Sequence, residues 1–179
     1  HSLRRIMLSY MPGAAVTEAK IEGISHEYGT IEGVKEDILD ILLNLKDLAI
    51  KLDGITEAEI KLNIKTPKTV TASDLELPAG VEVMDANHVI ATLVEPKKLI
   101  MTLKVQRGIG YVPAESKKDK NIDSLHLDAI YSPVKKVNYK VENARVENRT
   151  DLDKLILDLE TDGTIDAKQA VKYAATIMQ

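Results

Sequence analysis

The side chains of this chain best suited to chemistry are few and scattered. His26, His88 and His126 lie far apart with no HExxH pair among them, so any metal site would have to be assembled by the fold. Asp158 and Glu160 alternate with Leu157 and Leu159, which is the pattern of a polar strand face and not of a converging acid/base pair. Asp151 and Asp153 flank the start of the same strand, where carboxylates cap backbone groups or pair with Arg149 or Lys154. The serines form neither a GxSxG elbow nor an SxxK pair. Gly108-Ile109-Gly110-Tyr111 lacks the GK[ST] of a phosphate loop, and Val112-Pro113 stands where a dinucleotide fingerprint would continue into a helix. Gly108 and Gly110 therefore read as a structural turn at an exposed strand end, presenting Arg107 and Tyr111.

What remains is chemistry of contact. Arg4 and Arg5 are adjacent on a predicted helix and point about 100° apart, so one flanks the apolar stripe while the other faces outward. Lys46 lies near the C-terminal end of a long helix, where its charge suits the negative end of the dipole. His26 and Tyr28 lie in an exposed-looking segment. Arg149 sits in the densest mixed-charge run, 141–153, where Val141, Ala144 and Val146 are set among charged and polar residues. Such a run makes either a solvated loop or a surface that another protein reads. Arginine and tyrosine suit the second use, because each joins apolar area to directional hydrogen bonding.

These residues need elements to hold them. Residues 2–11 read as a helix through Leu3, Ile6, Met7 and Tyr10, stopped by Pro12-Gly13. Ala15 to Ile21 reads as a strand ending at a Glu22-Gly23 turn. After Gly33, the stripe Val34, Ile38, Ile41, Leu42 and Leu45 predicts a helix over residues 34–48, with Glu36, Asp37 and Asp40 near its start. From Leu48 to about Val105 the apolar period shortens to two between Gly and Pro breaks, predicting a sheet-rich centre. Residues 115–124 are polar and read as the most mobile loop. Val137, Tyr139 and Val141 alternate, as do Leu155, Leu157 and Leu159, which should anchor the structure behind the mixed-charge run. After the Asp162-Gly163 turn, Thr164 is placed to cap a last helix through Ala167, Ala170, Val171, Ala174 and Met178. Its small-residue face permits close approach to another helix, within the chain or across an interface.

Composition narrows the class further. At 179 residues the chain can bury a sizeable core, and with no Phe or Trp that core is aliphatic. The absence of Cys excludes disulfides and thiolate metal ligands. Twenty-eight acidic against 24 basic residues leave a formal charge of −4, which offers nucleic acid no strong electrostatic attraction. No apolar run approaches the roughly 18 residues a membrane span needs, so a cytoplasmic location without membrane contact is expected.

Four separated segments occur in a specific order: SLRRIMLSYMPGAAVTEAKIEGISHEY, EGVKEDILDILLNLK, VQRGIGYVP and VENARVENRTDLDKLILDLETDGTI. Together they closely resemble the N-terminal region of the bacterial RNA polymerase alpha subunit, over essentially the whole chain. The resemblance implies an α+β fold in which a discontinuous helix/sheet dimerisation domain, residues 1–12 and 137–179, carries a β-rich inserted domain, residues 13–136. It implies a homodimer that docks the beta and beta-prime subunits, with omega, sigma and DNA completing the complex near the nucleoid. Arg5 matches an assembly arginine, Ile6 an apolar dimer-side position, Lys46 the basic position after NL, and Arg149 the arginine of the VENRTD segment. His26 and Tyr28 match the HEY segment, while Arg107, Gly108 and Gly110 match the QRGIGYVP turn. Leu3, Ala170 and Ala174 belong to the helices expected to build the dimer, and Arg4 is a further contact candidate.

No cofactor or catalytic residue is expected in this chain, since the magnesium-binding aspartates of the family, and any zinc, belong to the large subunits. The family chain extends beyond both ends of these residues, and its DNA- and activator-binding C-terminal domain is not among them, so no direct DNA binding is expected here. Two other readings remain open from the residues themselves: a small enzyme with a dispersed His/carboxylate site, and a dimeric protein-binding module unrelated to transcription.

Overall fold

A computed structural model of the chain describes residues 2–114 and 124–178, so that most of the polar loop expected at 115–124 lies outside the described residues. The described part is mixed helix and antiparallel strand, an α+β fold. Helix α1 spans Ser2–Ser9 and buries Leu3 and Met7, one turn apart on one face. It stops earlier than its apolar stripe suggested. A residue before proline disfavours helical backbone, so the chain straightens ahead of Pro12. Tyr10, expected on the stripe, is exposed as a result, while Met11 turns inward.

Strand β1 (Pro12–Ile21) is the hub of the larger sheet. It pairs antiparallel with β7 (Leu99–Ile109) from Pro12↔Ile109 to Ile21↔Met101. The sheet continues on one side to β3 (Glu57–Ile64), and on the other to β2 (Ile50–Leu52) and β5 (Val81–Val83). The β1–β7 register slips between Val16 and Glu18, so alternation breaks and Ala15, Val16 and Thr17 are buried in succession. The Thr17 hydroxyl that the slip turns inward donates to Gln106 Oε1 at 3.0 Å. Strands β4 (Lys68–Thr71) and β6 (Val89–Leu93) form a separate pair, with a single 3-10 turn at Ala72–Asp74 after β4.

Helix α2 (Ile38–Lys46) lies on this material and buries Ile38, Ile41, Leu42 and Leu45 in one aliphatic cluster that also holds Val16, Ile90 and Leu93. The stripe is as the period predicts, but the helix starts four residues late. Asp37 is the N-cap, its carboxylate accepting from the Asp40 amide at 2.8 Å. The residues ahead of it are drawn to β6: Val34 bridges Leu93, and the Glu36 carboxylate accepts from the Thr92 amide at 2.6 Å and its hydroxyl at 2.9 Å.

Strand β8 (Tyr111–Val112) pairs with β10 (Ala129–Ile130), and β9 (Leu125–His126) adds to β1. The chain then forms a long hairpin, β11 (Val134–Val146) and β12 (Arg149–Thr161). The mixed-charge run is thus the outer part of two paired strands and not a solvated loop, and Glu147 at its tip takes φ of 55°. Leu157 and Leu159 pack inward as their alternation predicts. Leu155 does not: it lies farther along the hairpin, beyond the reach of the helices, and is 48% exposed. Helix α3 (Ala167–Ile177) is capped by Asp166, whose side chain forms a reciprocal pair with Gln169. Thr164, expected as the cap, instead donates its amide to the Asp162 carboxylate in the preceding turn. A second cluster joins Leu3, Met7 and Met11 to Val134, Val137, Ala170 and Ala174.

Candidate docking groove

Helix α2 buries one face and leaves a second apolar strip in water. Leu39 and Leu43, one turn apart, are 45% and 55% exposed, beside the nearly buried Leu42. The strip borders a groove of about 280 Å³ whose opposite wall is Leu127 and Asp128. Lys46, the last residue of α2, stands at the rim with its Nζ 3.8 Å from Asp128 Oδ2. The other oxygen of Asp128 accepts from the Ala114 amide at 2.9 Å. Next to this groove is a hollow of about 540 Å³ that shares Glu27, Ala114, His126 and Asp128 with it and adds His26 and Tyr28. The His26 ring accepts from the Tyr28 amide at 3.2 Å, which folds the HEY segment on itself and leaves the Tyr28 ring exposed. His126 is mostly covered, with Nδ1 3.5 Å from Glu18 Oε1.

The fold therefore gathers His26, Tyr28 and Lys46, three of the contact candidates, along one continuous surface. Leu39, Leu43 and Asp128, missed in the sequence, complete it together with His126, which the sequence offered only as a scattered histidine. The leucines did carry a signal, since they recur at four-residue spacing off the buried stripe. Asp128 carried none, because its value comes from residues distant in sequence, Lys46 and Ala114 among them.

Arg107 lies elsewhere. Its Nη2 donates to the Leu52 carbonyl at 2.9 Å, bracing β2 against β7. Gly108 is not a turn residue. It sits inside β7 opposite Gly13, and a Cβ there would stand 2.5 Å from the Tyr131 ring. Gly110 does turn the chain, with φ of 66°, and any Cβ on it would fall on the Ser9 carbonyl. These two glycines let the strand end pass close to Tyr131 and to the end of α1.

The remaining candidates lie on the helices and the hairpin. Arg4 Nε donates to the Val137 carbonyl at 3.1 Å, so Arg4 binds within the chain while Arg5 projects into water. Arg149 opens β12 opposite Val146 and is exposed. Leu3, Ala170 and Ala174 are buried between α1 and α3 of a single chain, so the close approach that the small-residue face permits is made within the chain. Ile6 is half-buried at the edge of the same cluster. On α3 and its C-cap, Tyr173, Ile177 and Met178 are exposed, the last expected on the inner stripe.

Acid/base chemistry finds little here. His88 does not line the groove; it is bonded through Nε2 to the Asn44 carbonyl at 2.6 Å. Asp40 and Asp74, among the described residues, have carboxyl groups displaced from their ordinary range. Asp40 is raised, first by the charge of Asp37, then by desolvation, the Asp37 hydrogen bond and Glu36. At Asp74 burial opposes ionisation, but the Lys68 hydrogen bond, the Thr71 amide and the Lys68 charge together lower its pKa. Neither lines the groove. Among the described residues no group of three or more His, Asp or Glu could hold a metal ion, and no helix is long and apolar enough to cross a membrane. The dispersed His/carboxylate enzyme gains no support from these positions.

One comparison with known families bears on the chain. The sequence model of the RNA polymerase Rpb3/RpoA insert domain matches residues 19–132, which include β1 from Ala19, all of α2 and both walls of the groove.

Proposed function

The chain belongs to the RNA polymerase Rpb3/RpoA insert-domain family, an RNA polymerase subunit of alpha type, and from that premise we propose that it is a noncatalytic assembly scaffold of a bacterial DNA-directed enzyme. In this reading the α2 groove docks one of the large subunits, beta or beta-prime. The carrying observation is the strip of Leu39 and Leu43 beside Lys46: two exposed leucines and a cation at a groove rim combine an apolar anchor with a polar edge, the composition of an interface centre and its border. Arg5 and Arg149 supply further contacts, and both are exposed.

Residues 1–12 and 137–179 act as the dimerisation domain, with 13–136 as the inserted domain. Two observations support the division. The aliphatic cluster under α2 runs from Val16 to Leu127, and the cluster of α1, α3 and the hairpin holds Leu3, Met7 and Met11 with Val137, Ala170 and Ala174, joined by Val134 from just inside the inserted-domain bound. Because Leu3, Ala170 and Ala174 are already covered within one chain, the homodimer forms through the outer side of the helices, at Ile6, Tyr173, Ile177 and Met178. Omega and sigma join the completed enzyme in the cytoplasm, and catalysis with its magnesium stays with the large subunits.

The test is to mix the chain with purified beta and beta-prime and measure the mass and composition of the complexes by light scattering after gel filtration. Stable complexes containing both large subunits are expected, weakened by Leu43→Asp and by combined Arg5→Ala and Arg149→Ala. Self-association without capture of either large subunit would replace this reading with a binding module unrelated to transcription.

A further inference from the structure

We propose that Asp128 is a positioning residue of the α2 groove, holding the Lys46 ammonium in place for an acceptor group on the docked large-subunit segment. The inference rests on the docking reading above and extends it to a residue with no contact role of its own.

The geometry separates the two oxygens of one carboxylate. Oδ1 accepts from the Ala114 amide at 2.9 Å, which fixes the carboxylate plane against the chain that enters the groove wall. Oδ2 is then held 3.8 Å from Lys46 Nζ. That separation is an ion pair and not a tight hydrogen bond, so the ammonium, with three donors, keeps capacity for another acceptor. The side chains are 25% and 40% exposed, so the pair sits at the rim, partly shielded from water, where its attraction is screened less than on open surface. A free lysine surrenders much rotamer freedom when it is immobilised on binding. One already restrained beside Asp128 surrenders less, and stands next to Leu43 and Leu39 where an apolar side chain would enter. The segment that fits carries an apolar anchor for the leucines and, within reach of it, a carboxylate or main-chain carbonyl for Lys46.

Asp128→Asn distinguishes the Ala114 contact from the Lys46 contact, because the amide oxygen still accepts from Ala114 while the charge facing Lys46 is lost. Affinity for fluorescently labelled, purified beta and beta-prime is measured with the full chain, comparing Asp128→Asn, Asp128→Glu, Lys46→Met, Leu43→Asp and the Asp128→Asn/Lys46→Met double variant. Asp128→Asn is expected to weaken binding about fivefold to tenfold, and in the Lys46→Met background to change it less than about twofold, since the aspartate acts through the lysine. Asp128→Glu should recover part of the loss, and all variants should melt as the parent does. Three outcomes overturn the inference. The full loss could persist in the Lys46→Met background; binding could tighten in Asp128→Asn, making the aspartate a competitor of the partner; or Asp128→Asn could bind like the parent while Lys46→Met and Leu43→Asp are weakened, which leaves docking itself standing. Parent-like binding by Lys46→Met and Leu43→Asp alike would overturn the docking reading and this inference together.

Discussion

Ser132 Oγ donates a buried hydrogen bond to the Met7 carbonyl, 2.7 Å away and 125 positions earlier in the chain. The same hydroxyl accepts from the Val134 amide at 3.3 Å. It thereby ties the last turn of α1 to the point where the chain leaves β10 for the hairpin. Neighbouring main-chain bonds reinforce the junction: Gly110 N to Met11 O at 3.1 Å, Tyr131 N to Gly110 O at 2.7 Å, and Asp162 N to Pro133 O at 2.8 Å. Ser132→Ala leaves a buried carbonyl and a buried amide without the side-chain partner they share. A destabilisation of about 1–3 kcal/mol is expected in urea unfolding, and a loss indistinguishable from zero would show that water replaces the hydroxyl.

Gly108 and Gly110 should each resist alanine, for different reasons. At Gly108 the added methyl meets the Tyr131 ring, an overpacking that costs about 1–3 kcal/mol. Tyr131→Leu in the same chain should recover part of that, because it removes the colliding edge. At Gly110 both the positive φ and the Ser9 carbonyl oppose a side chain, so no substitution in Tyr131 should help. Thermal midpoints of the two single variants and the two double variants decide this.

The proposed homodimer and the intrachain helix packing make opposite demands on α3. Tyr173→Asp with Ile177→Asp changes exposed positions and should shift sedimentation from dimer to monomer while the melting temperature of the monomer is kept. Ala174→Leu should do the reverse. Ala174 is fully buried in the cluster with Leu3 and Met7, so a larger side chain forces the helices apart at a cost of about 1–3 kcal/mol.

Asp74 predicts a particular dependence on acid. Its carboxylate accepts from the Thr71 amide at 2.9 Å and pairs with Lys68, and its folded pKa lies below the ordinary 3.8. A depressed carboxylate stabilises the fold above its unfolded pKa and loses that contribution as pH falls through the folded value. The stability gap between parent and Asp74→Asn should therefore be full at neutral pH and close below about pH 4. Unfolding curves recorded from pH 7 downward measure it, and a gap independent of pH would assign the effect to shape and not to charge.

Much of the architecture was legible because it depends on near neighbours. The stripe Val34, Ile38, Ile41, Leu42 and Leu45 is buried as its spacing implies, and Leu157 and Leu159 face inward on a strand. The misreadings have a common origin. Val34 and Glu36 have the pattern of a helix start but are held by Leu93 and Thr92 of β6. Gly108 has the look of a turn glycine, yet its need is the closeness of Tyr131. Thr164 is a competent cap, but Asp162 holds its amide and Asp166, with Gln169 three residues on, caps the helix.

By itself, then, the sequence determined the element types, the aliphatic core, the family-like order of motifs and the supply of arginine, lysine and tyrosine available for contact. Those follow from periodicity and composition, which act over a few residues. The tertiary structure decided which of these side chains are still free to act outward. Arg4 is engaged by Val137 and Arg107 by Leu52, Lys46 is steadied beside Asp128 with donors to spare, and Arg5, Leu39 and Leu43 face water. A hydrogen bond or ion pair depends on separations of a few ångströms, and only strand pairing and helix packing bring residues so distant along the chain within that range.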